Sequence, residues 1–240
     1  MAVFLSEETS AALQQISTAT ITLQLLKRGV RNVYMRGVAP LAPPSKRLVG
    51  VATTLRFIPM REDMSTPDIL ADRENPQRVA IDTIKPGAIL VIDARGVSDC
   101  AVLGDILAER IKQRCGGGVV TDGGVRDASA VADVGLPVFA AGPAAPASLA
   151  AHTPVDRDLP VGCGGVAVVP GDVLVGDGDG VVVIPAALAD EVARDGVGQE
   201  EIEDFVKLQV EKGRPVIGLY PPDDKIRAEF EEWVAAGKPR

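Results

Sequence analysis

GDILAERIKQRCGGGVVTDGGVRD, residues 104–127, is the stretch whose reading decides the fold. Gly104 opens a helix, and Ile106, Leu107 and Ile111 predict its apolar face. Gly116, Gly117 and Gly118 end it, and Val119, Val120 and Thr121 read as a short strand. The glycine turn that follows delivers Arg126 and Asp127. One helix–strand unit therefore presents two chemically useful ends. The helix start offers backbone N–H groups that no helical carbonyl satisfies, which suits an anion. The strand end offers a guanidinium beside a carboxylate. Together they set a candidate anion-binding end beside a candidate metal-ligating end.

Toward the N-terminus, residues 88–93 read as a buried strand after a Pro86-Gly87 turn, and residues 77–84 as a short helix. Residues 59–77 are charged and turn-rich, a loop that could serve as a lid or an intersubunit arm. Residues 49–58 predict a strand, 39–46 a proline-rich extended connection, and 7–28 one helix, capped by Ser6 and stopped by Gly29. Toward the C-terminus, residues 128–134 predict a helix and 136–141 a strand, while 144–151 has no assignable element. Residues 166–185 hold three short apolar runs, and Gly176-Asp177-Gly178-Asp179-Gly180 between the last two is a hairpin signal. A long helix over 187–212, with a candidate interruption at Gly196 to Gly198, and a last one over 223–236 complete the chain. This order predicts an α/β layered domain with a mixed sheet and N- and C-terminal helices, the helices serving as packing elements or oligomer contacts. Residues 1–47 would be the N-terminal helix and connection, 48–192 the catalytic core, and 193–240 the C-terminal helical extension of a single domain.

The chain's 240 residues can bury a substantial core, and aromatics at 3% make that core aliphatic. A net charge of -8 without clustered Lys and Arg argues against nucleic acid as a partner. No apolar run approaches membrane-spanning length. The opening MAVFLSEETS lacks a basic region followed by a long apolar run, so no signal peptide and a cytoplasmic location are expected. Cys100, Cys115 and Cys163 are odd in number and lack C-x-x-C spacing, which favours reduced thiols over a disulfide framework or a zinc site.

Each candidate residue also has a plain structural reading. Asp105, in the first helical turn, is favoured there by the helix dipole alone. It could equally handle a proton or a water while the amides of Gly104 to Leu107 hold a carboxylate. Asp127 could cap the next helix, or it could ligate Mg2+ or Mn2+, for which one or two carboxylates suffice. Arg126 could brace a turn, or grip a carboxylate and balance an enolate. Gly123 and Gly124 permit backbone angles that other residues resist.

Gly104-Asp105-Ile106-Leu107-Ala108, Gly118-Val119-Val120 and Asp122-Gly123-Gly124-Val125-Arg126-Asp127 together resemble the signature of a known family. That family contains 4-hydroxy-4-methyl-2-oxoglutarate aldolase and the regulator of ribonuclease activity A. Gly164-Gly165-Val166, Pro170-Gly171-Asp172 and the run from Asp177 to Pro185 agree with it, so the similarity covers roughly residues 48–192. The resemblance implies a swivelling β/β/α-type fold, assembled as a homotrimer or homohexamer, with the site at a subunit boundary. It implies that Asp127 binds the divalent metal, directly and through waters. Arg126 would contact substrate and stabilise the pyruvate enolate. The amides of Gly104, Asp105, Ile106 and Leu107 would hold the pyruvyl carboxylate, and Asp105 would help orient a water on the metal. The glutamate that a neighbouring subunit supplies in some aldolases has no placed match in this chain. The chain is similar to the longer branch often labelled as ribonuclease regulators. Regulators that only bind can dispense with the carboxylate after the arginine, and here Arg126 and Asp127 stand together.

The expected activity is a Mg2+- or Mn2+-dependent carbon–carbon lyase that releases pyruvate from a small 2-oxo acid. The alternatives are a metal-dependent aldonate dehydratase and a non-catalytic protein that binds and inhibits a ribonuclease. Selection of the rest of the substrate is expected from another subunit and from the variable segments. His152, the only histidine, lies in a polar stretch and is expected at the surface or an interface rather than in catalysis. Lys112 sits mid-helix, which disfavours a Schiff base. The triple glycine lacks the phosphate-loop pattern. Asp177 and Asp179 need only turn chemistry.

Overall fold

The computed structural model describes residues 5–44 and 46–239; the first four residues of MAVFLSEETS, Ser45 in the proline-rich connection and the last residue lie outside the described residues. Helices α1 (Glu7–Leu13) and α2 (Thr18–Lys27) come first, then β1 (Ala39–Pro40), β2 (Leu48–Pro59), α3 (Pro76–Thr83), β3 (Ile89–Asp93), β4 (Ala101–Leu103) and α4 (Asp105–Gln113). Next are β5 (Gly118–Thr121), β6 (Gly124–Val125), α5 (Ala128–Val134), β7 (Val138–Ala140), β8 (Gly142–Pro143) and β9 (His152–Arg157). Strands β10 (Val161–Cys163), β11 (Val166–Val168), β12 (Val173–Asp177) and β13 (Gly180–Ile184) lead to α6 (Ala189–Glu211) and α7 (Asp224–Ala235).

One mixed sheet runs in the order β1-β7-β5-β3-β2-β12-β13, with β9 also on β2. Its centre, β2-β3-β5-β7, is parallel. Central parallel strands are buried on both faces, and β3 shows how the alternation divides them. Leu90 and Ile92 join the core under α3, α4 and α5, while Ile89 and Val91 join the opposite core with Phe139, Val166 and Val168. A third apolar layer packs Leu13, Ile21, Leu25 and Val192 of the terminal helices, with Ile16 from the break between α1 and α2, onto β12 and β13. The terminal helices are therefore packing elements of the main body. Phe205, Leu219, Ile226 and their neighbours form a small separate cluster that holds α7.

Several expectations change. The single helix over 7–28 is two, because Ser17 accepts the N–H of Thr20 and restarts the helix after a break. The α6 helix passes through Gly196 and Gly198 without interruption. Ile106 is 78% exposed; Ala108 and Ile111 are the buried residues of α4. His152 is fully buried, not at the surface. Its strand pairs with the far end of β2, and its ring stands edge-on to Phe57 at 5.4 Å. Asp177 accepts from Asp179 N–H at 3.0 Å, the turn chemistry its setting predicts, and also from Thr18 N–H at 2.9 Å and the Thr18 hydroxyl at 2.8 Å, which ties the hairpin to the start of α2.

Candidate active site

Three strands of the parallel sheet each continue into a short second strand. After β3, β5 and β7 come β4, β6 and β8, which form a parallel sheet of their own in the order β4-β6-β8. Arg126 N–H donates to Leu103 carbonyl at 2.9 Å, and Ala144 N–H to Val125 carbonyl at 2.8 Å. The small sheet thus sets the chain after each strand in register. These segments are Gly104 to Leu107, then Arg126 and Asp127, then Ala147 and Ser148. All of them line one cleft of about 320 Å3, together with Gln77 and Arg78 of α3. Ligand sites beyond the carboxyl ends of parallel strands are the general expectation for α/β sheets.

Asp122 ties the turn together. Its carboxylate accepts from Ala94 N–H at 2.8 Å, from Gly96 N–H at 3.0 Å and from Gly164 N–H at 3.3 Å. Burial pushes its pKa up, with the neighbouring charge of Asp93 in the same sense and the backbone donors against it. Gly123 and Gly124 are required for close approach, not for unusual backbone angles. A Cβ on Gly124 would stand 2.5 Å from Ala144 Cβ, and one on Gly123 the same distance from Ala94 Cβ. The left-handed conformation belongs to Asp127, at φ 52° and ψ 39°.

Asp127 occupies the N-cap position of α5, yet its side chain caps nothing. Its Oδ2 accepts from Arg126 Nε at 2.9 Å, with both side chains about half exposed to the cleft. A non-glycine residue held in the left-handed region costs on the order of 1 kcal/mol. A carboxylate placed at that cost and withheld from the helix it precedes is available for other work.

At the start of α4, the Asp105 carboxylate folds back onto the N–H of Ile106 at 2.8 Å. Among the described residues the N–H groups of Gly104, Asp105 and Leu107 donate to nothing, so three of the four expected amides are open and the fourth, on Ile106, is taken by the Asp105 carboxylate.

No group of three or more His, Cys, Asp or Glu side chains among the described residues is arranged to hold a metal. The donor set fits Mg2+ or Mn2+ held by Asp127, whose Oδ1 takes no hydrogen bond among the described residues, with water and substrate oxygens completing the shell. A larger groove, about 840 Å3, lies between α1 and α3 and is lined in part by Val49, Val51 and Ile84. Its lining includes the Arg157–Asp158 pair, 2.7 Å apart, but the helix start it borders, at Glu7, is capped by the Ser6 side chain. The smaller cleft sets an arginine–carboxylate pair beside an uncapped helix start, which is the arrangement that suits an anionic substrate.

A family model described as "RraA-like: Aldolase/RraA" matches residues 14–183. The chain belongs to the RraA-like family. The match begins well before β2, at the end of α1. A Halalkalibacterium halodurans protein named "Putative 4-hydroxy-4-methyl-2-oxoglutarate aldolase" is 39% identical over 108 residues, covering 45% of this chain and 50% of that protein. Protein DlpA of Legionella pneumophila is 28% identical over 209 residues, covering 85% of this chain and 32% of DlpA. The chain thus spans half or less of these curated relatives. Among solved structures, Streptomyces coelicolor RraAS2, described as an unusual member of the RNase ES inhibitor RraA family, superposes with a TM-score of 0.74. It is 33% identical, over 85% of this chain and 97% of RraAS2. The swivelling α/β fold expected from the motifs is the fold of this RraA-like chain.

The structure brings Gly104, Asp105, Ile106, Leu107, Arg126 and Asp127 into one cleft. Gln77, Arg78 and Ser148 were not foreseen in it. The signal for the first two was present in Asn75-Pro76: an N-cap residue followed by proline at the first helical position starts a helix there. Ser148 sits in the stretch that had no assignable pattern.

Proposed function

We propose that this RraA-like protein is a divalent-metal-dependent carbon–carbon lyase that releases pyruvate from a small 2-oxo acid, by retro-aldol cleavage or decarboxylation. The observation that carries the reading is the convergence of an open helix start, the Arg126–Asp127 pair and Asp105 on one cleft. The substrate carboxylate would lie against the free N–H groups of Asp105 and Leu107, favoured by the positive end of the α4 dipole. Mg2+ or Mn2+ at Asp127 would supply Lewis acidity at the 2-oxo group.

In retro-aldol cleavage the 4-hydroxyl loses its proton and its oxygen becomes the carbonyl of the departing fragment. The C3–C4 electron pair moves into an enolate of pyruvate, which then takes a proton at C3. Arg126, its Nε occupied by Asp127, still has its two terminal nitrogens to stabilise the enolate oxygen. Asp105 would receive the hydroxyl proton through a water, after its carboxylate swings off the Ile106 N–H. In decarboxylation the same arrangement would stabilise the enolate left when CO2 departs. The homotrimer or homohexamer that the family resemblance implies would complete the open side of the cleft.

The test is pyruvate release from 4-hydroxy-2-oxo acids and from oxaloacetate, with Mg2+, with Mn2+ and with EDTA. Metal-dependent release that vanishes in Asp127→Ala supports the lyase. No release from any substrate refutes it, and aldonate dehydration is then assayed. The similarity to RraAS2 favours a second reading, inhibition of a ribonuclease by binding. Inhibition of that kind would survive Asp127→Ala.

A further inference from the structure

Arg31, Arg73, Arg78, Arg114 and Arg227 make no side-chain hydrogen bond or ion pair among the described residues, and all but Arg78 are exposed. Arg78 is half-buried and lines the cleft that holds Arg126 and Asp127. An arginine at the wall of a cleft with no counter-charge leaves its guanidinium donors free for a ligand. An incoming anion would supply the missing partner, and a planar guanidinium suits carboxylate and phosphate best.

Its placement is rigid. Asn75 Oδ1 accepts from the N–H groups of Gln77 at 3.0 Å and Arg78 at 3.3 Å, and Asn75 Nδ2 donates to Ile69 carbonyl at 3.0 Å. Gln77 Nε2 donates to Val102 carbonyl at 2.6 Å, which pins the first turn of α3 to β4, the strand that runs into Gly104. Arg78 and the open helix start therefore belong to one frame.

The pyruvyl half of the substrate is already provided for by the α4 start, Arg126 and Asp127. We propose that Arg78 is a specificity-determining residue that grips an anionic group, carboxylate or phosphate, on the departing half. The inference rests on the lyase reading for the identity of the two halves. It assigns selection to α3 of the same chain, where sequence alone pointed to another subunit and to the variable segments.

The test measures binding, so it does not depend on turnover. Isothermal titration with Mg2+ present compares three uncleavable 2-oxo acids: 2-oxohexanoate, 2-oxoglutarate and 2-oxo-4-phosphonobutyrate. Wild-type protein should bind at least one anionic tail about tenfold or more tighter than the neutral one, as a charge-assisted contact implies. The tighter of the two names the carboxylate or the phosphate. Arg78→Met should reduce the preference to within about twofold, Arg78→Lys should keep part of it, and Arg126→Ala should weaken all three ligands alike. A wild type without preference, including one that binds none of the three, overturns the proposal, as does a preference that survives Arg78→Met. Thermal melting checks that the variants are folded. Failure of the lyase reading looks different: tail-selective binding with no cleavage of any 4-hydroxy-2-oxo acid.

Discussion

Arg126 Nε donates to Asp127 Oδ2 at 2.9 Å, and the missing side chain of Gly104 makes room for the pair. A Cβ built on Gly104 stands 3.0 Å from Arg126 Cγ, 3.3 Å from Arg126 Cδ and 3.3 Å from Asp127 Oδ2. The backbone there is extended, at φ -136°, so alanine meets no conformational penalty. Gly104→Ala should therefore fold normally and displace the pair by a few tenths of an ångström. In a site where small misplacements are costly, kcat/KM for pyruvate release should fall about tenfold or more. Melting curves and steady-state kinetics check the two halves of this expectation. Unchanged kinetics would mean that the pair's geometry does not matter to turnover.

Asp122 supports the site without entering it. Asparagine has only one oxygen to offer the N–H groups of Ala94, Gly96 and Gly164, and its amide nitrogen would face a donor. Asp122→Asn should cost about 1–3 kcal/mol of stability, the usual penalty for a buried donor left unpaired. Urea denaturation reads this directly; a loss below about 0.5 kcal/mol would show that the brace is dispensable.

His152 makes stability depend on pH. Arg95 can only donate, so at 3.1 Å His152 Nδ1 must accept, which places the ring proton on Nε2. Nε2 has no partner among the described residues. Burial lowers the His152 pKa, and the Arg95 charge lowers it further, against the weaker opposite pull of the Cys100 backbone and the Asp99 carboxylate. The folded state then binds fewer protons than the unfolded state below the ordinary histidine value of about 6.5. The His152 contribution is complete above that pH and declines as pH falls toward the depressed folded value. The difference between wild-type and His152→Gln melting temperatures should change across that window and stay flat above it. A constant difference from pH 5 to 8 would remove histidine as the cause.

The strands and the two site motifs were legible because their signals are local. Short apolar runs between glycines gave β3, β5, β12 and β13, and the glycine turn after β5 placed Arg126 beside Asp127 in the chain itself. Errors arose where distant contacts decide. His152 lies in a segment with Pro154, Asp156 and Arg157 that resembles a loop; it is a strand because β2 is long enough to pair with it. Ile106 is a local exception, since its apolar character alone suggests the buried face and its angle does not. Five residues separate it from Ile111, about 140° around the helix, whereas Ala108 and Ile111 lie about 60° apart. Arg78 was missed because a cleft is made by three connections that meet only in the fold.

The two glycines of α6 separate packing from propensity. Gly198 has open space where a Cβ would stand, so Gly198→Ala should gain only the helical advantage of alanine, about 0.8–1 kcal/mol. Gly196 faces Ile16, in the break between α1 and α2. A Cβ there would stand 2.8 Å from Ile16 Cδ1 and 3.1 Å from its Cγ2. Ile16 is fully buried among Leu13, Ile21, Leu25 and Val192, so it would have to shift against packed neighbours. Overpacking of this kind costs about 1–3 kcal/mol, which outweighs the helical gain. Gly196→Ala should therefore lower the urea midpoint while Gly198→Ala raises it, with the slope unchanged in both. If both raised it equally, the terminal helices would be packed less tightly against α6 than Ile16 and Gly196 indicate.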